Sequence, residues 1–179
     1  MIELTVEAID ARARLGLKGP AAAQWLAARG IVAPAQANSW ARSTDAGADE
    51  LVVARLGTAE FFLEGAPPGR MRGLARALAE DPSGVYPVLR EDWAFRLAGS
   101  GVHEVLAQVC NVDFAGLALD ARPVIMTLMV GVAVLILPEA VGGGRTYRIW
   151  CDPTLGPYLS ETLAEVVVEN GGKITGVSA

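Results

Sequence analysis

Leu17-Lys18-Gly19-Pro20, leading into Ala21-Ala22-Ala23-Gln24-Trp25-Leu26-Ala27, and Leu97-Ala98-Gly99-Ser100, leading into Gly101-Val102-His103-Glu104-Val105-Leu106-Ala107, stand eighty positions apart and read alike. Each is an apolar strand end, a glycine turn and a helix start. Ala13 to Lys18 predicts a strand, Pro20 suits the first turn of the helix that follows, and Gly30 stops that helix. Ser39 to Ser43 predicts a strand, followed by a turn region from Thr44 to Asp49. Leu51 to Leu56 and Ala59 to Leu63 predict a hairpin about Gly57-Thr58. Met71, Leu74 and Leu78 recur at helical spacing within Met71 to Glu80, and Tyr86 to Arg90 closes the half as a strand.

The second half follows the same plan. Trp93 to Ala98 alternates as a strand, and Gly99-Ser100-Gly101 opens a helix from Val102 to Cys110. Pro123 to Met129, Gly131 to Leu137 and Arg145 to Cys151 predict strands, the last entered through Gly142-Gly143-Gly144. Asp152 and Pro153 have the chemistry of an N-cap and first helical residue, and the helix continues to Asn170. Gly171-Gly172 ends it before a strand from Lys173 to Val177. Leu74 to Glu80 corresponds to Leu159 to Glu165, at an offset of 85. The pattern predicts an α+β fold of two tandem split-βαβ, ferredoxin-like units, residues 1–90 and 91–179, with internal duplication favoured over two units that merely share common turn chemistry.

Composition narrows the function. Hydrophobic residues make up 52% of the 179, with 20% charged, and mean hydropathy is +0.35. A domain of this size leaves much surface exposed, so part of that apolar excess is expected on an interface. Net charge is −5, and binding to nucleic acid is driven by clustered Lys and Arg. Arg70, Arg72 and Arg76 are spaced as a solvated helix face, so no nucleic-acid partner is expected. Met1 to Asp10 carries Glu3, Glu7 and Asp10 and lacks the basic start and apolar core of a signal peptide. The apolar run Pro123 to Leu137 is shorter than the roughly 20 residues of a spanning helix. No membrane association and a cytoplasmic location are the expectations.

Catalytic constellations do not assemble in the sequence. His103 is the one histidine, placed on a helix where a surface or interface role is expected. Neither Ser100 nor Ser160 has the context of a nucleophile elbow. Gly142-Gly143-Gly144-Arg145 lacks the Lys-Ser/Thr ending of a phosphate loop. Gly99-Ser100-Gly101 lacks a third glycine, and a tight strand-to-helix turn explains it. Glu91 and Asp92 are neighbours and are expected to diverge as solvated charges, as is Asp113. Cys110 and Cys151 lack the paired spacing of a zinc site and are expected as buried, inert thiols. Trp25 is expected in the core. Trp40, Trp93 and Trp150, wherever exposed, would be interface anchors. No catalytic, cofactor-binding or metal-ligating residue is assigned.

A family resemblance adds to this. Val88-Leu89-Arg90-Glu91-Asp92-Trp93-Ala94-Phe95-Arg96-Leu97-Ala98-Gly99, then Val105-Leu106-Ala107-Gln108-Val109-Cys110-Asn111-Val112-Asp113-Phe114, resembles the γ subunit of heterotetrameric sarcosine oxidase. Gly19 to Ala28, Asn38 and Arg55-Leu56-Gly57-Thr58-Ala59-Glu60-Phe61 are also similar. The small subunit of N-methylglutamate dehydrogenases is related. The resemblance runs over most of the chain from Leu15, on motifs that are mostly scaffold, and departs at Tyr147-Arg148-Ile149-Trp150-Cys151-Asp152-Pro153. It implies the fold of the folate-binding part of glycine-cleavage aminomethyltransferases. It implies flavoprotein α and β subunits and a small δ subunit as partners, which would carry FAD, FMN, NAD, tetrahydrofolate and zinc. The γ subunit itself holds no cofactor, so no catalytic residue carries over. Stand-alone folate-binding proteins of the same fold carry a K-G-C-[aromatic]-x-G-Q-E segment that is missing here. The expectation is a non-catalytic accessory subunit, with a stand-alone folate module as the alternative.

Overall fold

The computed structural model describes residues 2–7, 13–44, 50–65, 68–80 and 84–176. In chain order the elements are β1 (Ile2–Glu7), β2 (Ala13–Lys18), α1 (Ala22–Ala27), β3 (Ser39–Thr44), β4 (Glu50–Arg55), β5 (Glu60–Gly65), α2 (Pro68–Glu80) and β6 (Tyr86–Val88). They continue with β7 (Trp93–Gly99), α3 (Val102–Val109), β8 (Ile125–Met129), β9 (Val132–Val141), β10 (Gly144–Cys151), α4 (Gly156–Glu169) and β11 (Lys173–Gly176). Short 3₁₀ turns occupy Leu119–Ala121 and Pro153–Leu155. The chain is α+β with two sheets and divides into two compact units.

The unit Asp10–Arg90 holds a five-stranded sheet ordered β3-β4-β5-β2-β6. Leu15 and Leu17, Leu51 and Val53, and Phe61 and Leu63 alternate along their strands, so one face of the sheet is apolar. Trp25 and Leu26 of α1 and Met71, Leu74 and Leu78 of α2 join the same cluster. Burying each large side chain contributes roughly 1.5–3 kcal/mol, which makes this face the main source of the unit's stability.

The second unit comprises Met1–Ile9 and Glu91–Ala179, with the order β11-β1-β7-β10-β9-β8. Phe95 and Leu97, Val134 and Ile136, and Tyr147 and Ile149 form its apolar face with Val102, Val105, Leu106 and Val109 of α3. Leu159, Leu163 and Val167, four residues apart on α4, complete the cluster. Asp152 caps the entry to α4 by accepting from Thr154 N at 2.8 Å. The two hydrogen bonds from Thr154, side chain first and then backbone, hold the Asp152 carboxyl below its ordinary range.

With β1 set aside, the two sheets have one topology: β2, β3, β4, β5 and β6 correspond to β7, β8, β9, β10 and β11. The glycine turns correspond as well, since Gly19 and Gly99 both have positive φ, 132° and 118°. The repeated plan read from the sequence is therefore a repeated topology. The boundary 1–90 needs correction, because β1 belongs to the second unit. It pairs antiparallel with β7 and parallel with β11, filling the slot between them.

Smaller differences have local causes. α2 begins at Pro68 rather than Met71, since proline is compatible with a first helical turn. β6 ends at Val88 and not Arg90. β9 runs to Val141, past Leu137. Pro138 lies beyond Ile136, the last β9 residue that β8 pairs, so its missing N–H removes no ladder bond on that side. The turn residues 45–49 and the end of the last strand at Val177 lie outside the described residues.

Candidate functional site

His103 lies on the sheet-facing side of α3, one position past the buried Val102. Its Nε2 is 2.8 Å from the hydroxyl of Tyr147 on β10. Tyr147 is fully buried, and the ring of Phe114 meets it edge-on at 5.3 Å between centroids. Arg145, two residues earlier on the same strand face, donates from Nη1 to the Phe114 carbonyl at 2.8 Å. Burial pushes the Tyr147 hydroxyl above the ordinary tyrosine range, and a hydrogen bond and charge from Arg145 oppose that only in part. His103, expected from the sequence to have a surface or interface role, is a half-buried partner of a core tyrosine. The Tyr147 hydroxyl is closed to solvent, whereas His103 and Arg145 are half-buried.

The other sequence candidates are placed in the same way. A side chain at Gly101 would come within 2.9 Å of Ile2, so the space at this glycine turn is filled by β1. Gly142 and Gly143, at φ 58° and 79°, make the two-residue turn between β9 and β10. Glu91 is exposed and Asp92 half-buried. Asp113 Oδ1 accepts from Gly116 N, three residues on, at 3.1 Å, which closes the local turn. Cys110 and Cys151 are buried free thiols. Burial, followed by the charges of Asp152 and Asp92, pushes Cys151 up to about 11. Among the described residues no three His, Cys, Asp or Glu side chains gather as a metal site. No helix among them is long and apolar enough to cross a membrane. Trp25, Trp40 and Trp150 are buried and Trp93 half-buried, so none of the four is an exposed anchor.

Two features of the first unit escaped the sequence. Arg14 and Glu64 form a cross-strand ion pair, Nε to Oε2 at 2.8 Å, with side chains 2% and 0% exposed. Arg55 lines an open depression with Ala23, Ala27, Ile31, Val32 and Pro34. Its guanidinium is committed to carbonyls: Ala35 at 2.7 Å, Thr58 at 2.6 Å, Gly57 at 3.1 Å and Pro34 at 3.2 Å. That arginine pins the β4–β5 turn to the loop after α1, and the depression keeps an apolar wall.

Exposed apolar side chains are a further feature of the surface. On β8, Met126 and Leu128 alternate with the inward Ile125, Thr127 and Met129 and are 52% and 61% exposed. Leu155, Tyr158, Val168 and Ile174 are exposed elsewhere in the same unit, and Val32, Tyr86 and Leu89 in the other. Exposed residues of this size on one strand of a sheet edge are suited to contact with a protein partner.

No family model and no curated protein matches the chain. Solved structures do, and they define the fold as aminomethyltransferase-like. The glycine cleavage system aminomethyltransferase T from Bartonella henselae superposes with a TM-score of 0.70 at 15% identity, over 98% of this chain and 47% of that one. This chain therefore spans about half the length of that protein. A chain of the heterotetrameric sarcosine oxidase from Corynebacterium sp. U-96, solved with pyrrole 2-carboxylate, superposes with a TM-score of 0.74 at 21% identity. There the match covers 96% of this chain and 86% of the other.

Proposed function

We propose that this chain is a non-catalytic, γ-type subunit of a heterotetrameric, flavin- and folate-linked sarcosine oxidase or a related N-methyl amino acid dehydrogenase, working in the cytoplasm. The observation that carries the reading is the near whole-chain match, in both directions, to a chain of a heterotetrameric sarcosine oxidase. The match to the aminomethyltransferase is to half of a longer protein. The internal commitments of His103, Tyr147, Arg145 and Arg55 support a scaffold role. The exposed apolar residues support assembly. On this reading flavoprotein α and β subunits and a δ subunit are the partners, and FAD, FMN, NAD, tetrahydrofolate and zinc reside on them.

Co-expression with the flavoprotein chains of the same genome tests it. A complex that survives gel filtration, and loses assembly or activity when this chain is left out, is the expected result. A chain that stays monomeric and binds none of them removes the proposal. The second reading, a stand-alone folate module, is favoured by the likeness to the aminomethyltransferase over 98% of this chain. Calorimetry of the isolated chain with tetrahydrofolate separates the two, since the subunit reading expects no heat of binding.

A further inference from the structure

We draw no further inference here: the strongest candidate, the outward face of the edge strand Ile125–Met129 with Met126 and Leu128 exposed, is an unpartnered apolar surface, and nothing in the structure shows what covers it.

Discussion

The single histidine and the most deeply buried tyrosine of the chain are joined: Nε2 of His103 stands 2.8 Å from the hydroxyl of Tyr147. A phenol has one proton, and a buried proton left without an acceptor is costly, so that proton is expected to point at His103 Nε2. On that order neutral His103 is expected to accept at Nε2 and to carry its hydrogen on Nδ1. Nitrogen chemical shifts of the imidazole should report an unprotonated Nε2. Tyr147→Phe removes the donor and should move the tautomer balance toward Nε2–H. A protonated Nε2 in the neutral imidazole of the wild type would contradict the hydrogen-bond order.

Tyr147 also makes a prediction at high pH. Its folded-state affinity for the proton is raised, first by burial. A group of that kind contributes stability that is present in full below its unfolded value, about 10, and is lost as pH rises toward and through the higher folded value. Urea midpoints of the wild type should fall with pH above about 10 more steeply than those of Tyr147→Phe. The variant should be less stable near neutrality by about 1 kcal/mol, the net worth of a lost buried hydrogen bond. Parallel slopes for the two proteins would place the alkaline loss elsewhere.

The ion pair of Arg14 and Glu64 is enclosed by protein on both sides. Separating two buried charges by deleting one leaves the other in a medium that solvates it poorly. Glu64→Ala is expected to cost about 3–5 kcal/mol, enough to unfold a marginal domain. Replacing both, Arg14→Met with Glu64→Leu, should recover most of that, because no charge then remains to desolvate. Urea denaturation of the single and double variants measures the difference. A double variant as unstable as Glu64→Ala would mean that the pair is not what the site requires.

The glycine turns made most of the fold legible. Gly19 and Gly99 mark strand-to-helix corners that side chains rarely adopt, and the helices follow from their start and stop residues and, for α2, from the spacing of Met71, Leu74 and Leu78. β1 was available too, since Ile2, Leu4 and Val6 alternate with Glu3, Thr5 and Glu7. Its slot between β7 and β11 was not, because that depends on the sheet order of the last unit. The same limit applies to the polar contacts. Tyr147 meets His103 across 44 positions and Arg14 meets Glu64 across 50, and neither register is written in local sequence. The expectation of no active site rested on missing motifs. The structure adds where the polar groups go, which motifs do not encode.

Cys151 gives a chemical test of burial. With its thiol pushed up to about 11, the reactive thiolate is roughly one part in a thousand at pH 8. The side chain is also buried, in the core cluster that includes Leu159 of α4. A maleimide at pH 8 should leave Cys151 unmodified in the native chain and label it on denaturation, as mass spectrometry of the peptide would show. Rapid native labelling would mean that this end of β10 opens on the timescale of the reagent.

Gly19 and Gly30 separate backbone strain from collision. Both have positive φ, 132° and 71°. A side chain at Gly30 meets nothing within 4 Å, whereas one at Gly19 runs into the Gly84 carbonyl oxygen. Gly30→Ala should thus lose only the left-handed backbone cost, about 1–2 kcal/mol. Gly19→Ala carries that cost and must also move Gly84, whose carbonyl accepts from Ala21 N at 3.1 Å and so fixes the start of α1. It should be the more damaging of the two, by at least about 1 kcal/mol on the scale of overpacking. Equal thermal shifts for both variants would show that the corner at Gly19 can relax, and that the close approach of Gly84 is not what holds the turn.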